Sequence, residues 1–294
     1  MIKKRIKITS LDVILSLLLL GGFAYLFHQV TTRLNYKWQW EIIPQYLFRY
    51  DSELGRWVPN YLMQGLFTTL RLSIWGIILA SVFGMVMGLL RTSKSLFLRM
   101  TAGTYVELMR NIPPLVIIFI FYFFISDQIM PFIGVDRFVR SASPSTQFLF
   151  ELLFAPPRYI SAFLSALFTL AVFEGAYIAE IVRAGIESVE RGQWEATHAL
   201  GLSKYHTLRH VVLPQAIQRI IPPLAGQFIS LIKDSAIVSV ISIQELSYQG
   251  TQLMASTYLT IETWVTIALL YLALTLSCSL AFGKLETRMA RSRA

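Results

Sequence analysis

The sequence predicts an all-α integral membrane protein. Hydrophobic residues make up 55% of the 294 positions. Charged residues make up only 15%, where a soluble domain carries roughly 25%. The apolar residues also fall into about six long runs, and a spanning helix needs roughly 20 of them. Mean hydropathy is +0.56.

The runs are read as spans over Leu11–Val30, Leu62–Leu90, Tyr105–Ile125, Ile160–Val182, Ala216–Ile243 and Trp264–Phe282. The N-terminus, MIKKRIK, has the basic start of a secretory signal. The apolar run behind it is long and no clean small-x-small cleavage site follows, so it reads as an uncleaved anchor. The net charge of +9 would suggest nucleic acid for a soluble protein. Here the basic residues flank spans and set orientation, so no nucleic-acid partner is expected. With the N-terminus inside, the inner segments hold about 16 Lys and Arg and the outer ones about 7. Both termini are therefore expected in the cytoplasm, as is the segment from Arg191 to Pro214. Trp38, Trp40 and Trp57 read as interface anchors. Cys278 is the single cysteine, which leaves no intrachain disulfide.

Several features lie at span depth. Gly76, Ala80, Gly84 and Gly88 recur every fourth residue, a face that lets another backbone approach closely. Pro113-Pro114 falls inside the third expected span and should break it, since proline removes a backbone donor. Pro156-Pro157 reads as a helix start. Pro222-Pro223 reads as the cytoplasmic end of the fifth span. Glu174 stands in an apolar run, where a carboxylate costs about 2.5–3.5 kcal/mol. Two readings stand: it holds the ammonium or basic side chain of a solute, or it forms a buried ion pair with Arg110, Lys233 or Arg71. Lys233-Asp234 interrupts the fifth span. Arg110 follows Glu107 by three residues on one helix face.

The segment RAGIESVERGQWEATHALGLSKYHTLRHVVLP, Arg183 to Pro214, is polar with a helical pattern. Gly201 should break the helix, Ser203 should cap the next one, and Pro214 should open the following span. His206 and His210 are four apart, yet no third ligand accompanies them, so no metal is expected. A short helix pair on the cytoplasmic side suggests docking to a soluble partner.

This segment resembles the EAA loop of bacterial ABC importer permeases, E-A-A-x3-G-x9-I-x-L-P. The chain reads Glu195, Ala196, Thr197, then Gly201, then Val211, Leu213 and Pro214. Thr197 and Val211 depart from the pattern by small changes. The segments 68–73, 105–116, 175–189, 213–217 and 227–246 are similar to the polar amino-acid branch, and the resemblance runs from Leu62 to Met289. It implies a type I ABC importer transmembrane domain of five core spans over residues 61–290. To this the chain adds an N-terminal anchor helix and outer loop over residues 1–60. The outer loop from Asp127 to Pro157 is longer than the branch usually carries.

The resemblance also implies partners: two ATP-binding subunits, a second permease subunit (a copy or a related chain) and an extracytoplasmic amino-acid-binding protein. The loop 187–214 would couple the pathway to the ATPase, with Glu195, Ala196, Gly201, Leu202, Leu213 and Pro214 at the contact. Substrate-pathway residues are expected at Thr68, Thr69, Arg110, Glu174, Lys233 and Asp234. The chain has no G-x-x-x-x-G-K-[ST] loop, so it is expected to bind no cofactor and to catalyse nothing, ATP being used by the partner. The competing reading is a secondary transporter or channel, which would call for an internal repeat.

Overall fold

The computed structural model describes residues 9–33 and 36–291. The basic residues Lys3, Lys4, Arg5 and Lys7, and Arg293 at the other end, lie outside them. Two compact units divide at Trp40 and Glu41. The expected boundary at residue 60 therefore falls inside the second unit.

The first unit contains one helix, α1 (Ser10–Arg33), opened by Asp12, whose Oδ2 accepts from the Thr9 amide at 2.8 Å. Its described apolar stretch, Ser10–Tyr25, is shorter than the roughly 20 residues of a span.

The second unit opens with a short helix, α2 (Pro44–Leu47), and a hairpin of β1 (Phe48–Asp51) and β2 (Arg56–Pro59). This hairpin is an addition to the expected helices. Asp51 starts the turn, its Oδ1 accepting from the Glu53 and Leu54 amides, and Gly55 takes the left-handed conformation at φ 61°. Asn60 ties the hairpin back, donating to the Gln45 carbonyl.

The first core span is α3 (Tyr61–Arg91). The third expected span is corrected. Tyr105 belongs to a separate helix, α4 (Leu96–Asn111), and the crossing is Pro114–Ile133. The cause is local: Ile112 precedes proline and adopts ψ 140°, because the ring disfavours a helical residue before it. The crossing comprises α5 (Pro114–Phe124), a π turn over Ile125–Ile129 and α6 (Met130–Ile133). Two short helices follow, α7 (Val135–Ser141) and α8 (Pro144–Leu153). Pro156-Pro157 starts the next crossing, as expected, leading into α9 (Ile160–Glu187).

Beyond α9 come α10 (Arg191–Ala199) and α11 (Lys204–Thr207), a π turn over Leu208–Val212, and α12 (Leu213–Asp234). The fifth expected span corresponds to the helical run from Lys204 to Ile241. It starts before Ala216, and Pro214 lies within it rather than opening it. Both π turns lie just N-terminal to a proline, Pro131 and Pro214. A proline ring collides with the carbonyl four residues back, and a wider turn gives that carbonyl room. Pro222 and Pro223 are likewise inside α12. A 3-10 stretch over Ser235–Ile241, α13 (Leu246–Thr257) and α14 (Thr260–Arg291) complete the chain.

Among the described residues, five helices are long and apolar enough to cross a membrane. The third of these is the hub: 72% of the apolar window in α9 is buried, against 11% in α14. Its neighbours approach closely because glycines line the contacts. A Cβ on Gly84 would stand 2.5 Å from the Ile178 side chain, and one on Gly88 would stand 2.7 Å from Val182. Further along α9, a Cβ on Gly185 would meet Ile220 of α12 at 2.3 Å. The small-residue face of α3 thus packs within the subunit. Lipid tails are as apolar as leucine, so this close packing rather than water exclusion holds the spans together.

Candidate functional site: an acidic cavity and a loop helix pair

A cavity of about 250 Å³ opens where α5, α9 and α12 meet. Pro114, Ile118, Leu170 and Phe173 give it apolar walls, and Tyr177, Gln227, Ser230 and Asp234 give it polar ones. The break at Pro113 is what brings the start of α5 against α9 here. The volume is near the lower end of the range for small-molecule sites.

Glu174 is fully buried and stands behind this wall. Gln227 Nε2 donates to its Oε2 at 2.5 Å, and its carboxyl also interacts with that of Asp234. The expected ion pairs are not formed. Arg110 reaches toward Glu180 at 4.0 Å, Arg71 Nη1 donates to the Phe154 carbonyl at 3.4 Å, and Lys233 is exposed. Of the Lys233-Asp234 pair, only Asp234 lines the cavity. Arg110 touches it indirectly, its guanidinium 5.7 Å from the centre of the Tyr177 ring.

The two threonines separate. Thr68 lines a separate cavity of about 540 Å³ with Arg71, Glu151, Arg158 and Gln244. Thr69 is fully buried. Its hydroxyl donates to Glu245 Oε2 at 3.4 Å and accepts from the Leu246 amide at 3.2 Å. Glu245 is also held by the Tyr271 hydroxyl at 2.8 Å and by the Tyr248 amide at 2.8 Å, which caps α13. Thr69 therefore belongs to a buried network with Glu245 and is not among the residues that line the cavity between α5, α9 and α12.

A second charged cluster went unseen in the sequence. Glu180 of α9 accepts from Arg91 at the end of α3 and from Arg183 one turn along. With Arg110 of α4, three cations converge on one carboxylate. Arg183 also donates to Glu187 at 2.5 Å. The pairs within α9 follow from their i, i+3 and i, i+4 spacing; those to Arg91 and Arg110 had no local signal.

On the loop, α10 ends at Gly201, which has φ 71°, and Ser203 caps α11, its Oγ accepting from the His206 amide. Both match expectation. Glu195, Ala196, Gly201 and Pro214 are exposed, and Leu202 and Leu213 are half-buried. Leu200 is 78% exposed. Thr197 is buried, its hydroxyl donating to the Trp194 carbonyl at 2.8 Å. The side chain at the motif's departing position thus faces inward.

The family model of the binding-protein-dependent transport system inner membrane component matches residues 80–291. The chain belongs to that family. It is similar to the glutamine transport system permease protein GlnP of Escherichia coli (strain K12), at 34% identity over 78% of this chain and 92% of that one. It is also similar to the probable glutamine ABC transporter permease protein GlnM of Bacillus subtilis (strain 168), at 32% identity over 78% and 94%. A solved amino acid ABC transporter with histidines superposes with TM-score 0.64 and 28% identity, covering 86% of this chain and 100% of that one. The inward-facing MetNI methionine ABC transporter, at 19% identity and TM-score 0.59, shares the fold. The chain is thus an inner-membrane permease subunit of an ABC importer, with the type I transmembrane fold. Such a subunit works with an ATPase and a binding protein.

Proposed function

We propose that this permease subunit conducts a polar amino acid, and that the cavity between α5, α9 and α12 is its station within the membrane. The observation that carries this is Asp234 on the cavity wall, with the buried Glu174 joined to that wall through Gln227. Carboxylates at this depth are costly unless a cation meets them, and every amino acid brings an ammonium. The identities of the relatives support the same substrate class. Asp234 is the direct partner. Glu174 is a positioning residue that orients the Gln227 amide and adds negative potential.

The subunit uses ATP hydrolysed by a partner and has no phosphate loop of its own. Exposed α10, with Glu195, Ala196, Gly201 and Leu202, seats in that ATPase, and Leu213 and Pro214 carry its movement into α12. The excess of basic residues in the inner segments supports cytoplasmic termini. Two ATPase subunits serve a pair of permeases. Exposed Lys233 supports such a pair, since a charged group on a spanning helix needs a protein or aqueous neighbour. Helix α1 adds a sixth crossing. The outer cavity around Thr68 and Arg71 faces the binding protein.

The test is uptake by the complete transporter in proteoliposomes. Asp234→Asn should lower uptake about tenfold or more, in line with loss of a charge-assisted hydrogen bond of roughly 1.5–3 kcal/mol, while assembly with the ATPase persists. Undiminished uptake would falsify the cavity assignment.

A further inference from the structure

Beyond the pathway, a larger groove of about 1010 Å³ lies at the end of α3, bounded by the α3–α4 turn, the end of α9 and the α10–α11 segment. Lys94, Arg99, Arg191 and Lys204 line it. All four are exposed, and among the described residues none forms an ion pair. Arg91 also lines it but is occupied by Glu180. Glu187, the carboxylate among the lining residues, is occupied by Arg183. The groove therefore offers four uncompensated cations. Its floor is apolar, made by Leu89, Ile186, Val189, Trp194 and Leu208. Beside the basic rim, the first turns of α4 expose Leu96, Phe97 and Met100, Phe97 by 75%.

Cations over an apolar floor, next to exposed apolar side chains at the end of a spanning helix, match one kind of molecule on both counts. We propose that this groove binds the headgroup of an anionic phospholipid of the inner leaflet. The proposal rests on the cytoplasmic placement of the α3–α4 turn. Clusters of Lys and Arg just cytoplasmic of a span attract anionic lipid at about 1 kcal/mol per residue. An acidic segment of a soluble partner would satisfy the cations but leave Leu96, Phe97 and Met100 in water. The headgroup would bridge the α3–α4 turn, through Lys94 and Arg99, to the coupling helices, through Arg191 and Lys204. It would thereby steady α10 for its partner.

The experiment is native mass spectrometry of the complete transporter released from nanodiscs of mixed phosphatidylglycerol and phosphatidylcholine. Wild type should retain phosphatidylglycerol selectively. The double variant Lys94→Gln/Arg99→Gln should lose that selectivity about thirtyfold, two charges at about 1 kcal/mol each. The control Arg209→Gln/Lys284→Gln removes the same charge outside the groove and should keep it. Equal loss in both variants, or loss in neither, overturns the site. Displacement of the lipid by inorganic phosphate overturns the lipid as occupant. Shedding of the ATPase by the groove variant with lipid unchanged makes the groove a protein contact instead. If the variant does not fold, wild type is probed by acylation of Lys94, which phosphatidylglycerol should protect and phosphatidylcholine should not. These readouts count lipid, not transport, so they are independent of the amino-acid assignment.

Discussion

Single residues carry unequal weight here, and their neighbours decide it. Glu174 stands out in the sequence because a carboxylate interrupts an apolar run, yet its route to the cavity is through Gln227. Asp234, one of an adjacent pair of charges, is the carboxylate that lines the wall. Glu180 also stands in an apolar run, with Arg183 one turn along, and it accepts from two arginines and attracts a third. Replacing it by glutamine keeps the size and removes the shared charge. Arg91 is then left with a side chain only 16% exposed and no counter-charge. Glu180→Gln should therefore lower stability by about 1 kcal/mol, since the half-buried pairs are partly screened by solvent from the groove, seen as a lower melting temperature in detergent. Arg91→Gln in the same background should cost little more, because the interaction is already gone. Strictly additive losses would mean that the two residues do not act on each other.

At the level of elements, what could be read from sequence was what local chemistry dictates. The glycine ladder of α3, the stop at Gly201 and the cap at Ser203 each follow from a residue's own conformational or packing preference. The mislaid boundaries also had local causes, read too weakly. Pro113 ended α4 outright rather than kinking a single span, and the π turn before Pro214 let a helix continue where a start was expected. What could not be read were long-range pairings: Thr69 with Glu245 and Arg91 with Glu180. No spacing rule encodes them. The turn between α10 and α11 lends itself to a direct test. Gly201 has φ 71°, a conformation that costs an ordinary L-residue roughly 1–2 kcal/mol and a β-branched one more. A Cβ there would meet nothing within 4 Å, so the penalty is conformational rather than steric. Gly201→Val should tilt α10 relative to α11 without disturbing the spans. Insertion should be normal, ATP hydrolysis by the complex should continue, and uptake per ATP should drop several-fold. An unchanged ratio of uptake to hydrolysis would remove the coupling role of this turn.

For the whole molecule, the central question is how much of the chain the transporter needs. The solved amino acid transporter subunit is matched over its full length by 86% of this chain, and GlnP over 92% of its length by 78%. The family match begins at residue 80. Residues up to Trp40 form a unit of their own, whereas the hairpin and α2 belong to the unit that contains the spans. The four core clusters are all built from residues of that second unit. Physical continuity of packing, rather than the order of the chain, therefore groups α2 and the hairpin with the spans from Glu41 onward. A chain restarted at Glu41 should insert, assemble with its ATPase and support uptake within about twofold of the full chain, a difference of some 0.4 kcal/mol. Quantitative membrane blots and proteoliposome uptake measure the two separately. Normal insertion with abolished uptake would mean that α1 takes part in transport itself, while failed insertion would mean that the five remaining crossings depend on it for their topology. A second truncation, starting at Asn60, sharpens the result. It removes the hairpin and the contacts of Tyr46 and Leu47 against Leu62 and Leu246, and it should lower the melting temperature where the first truncation does not.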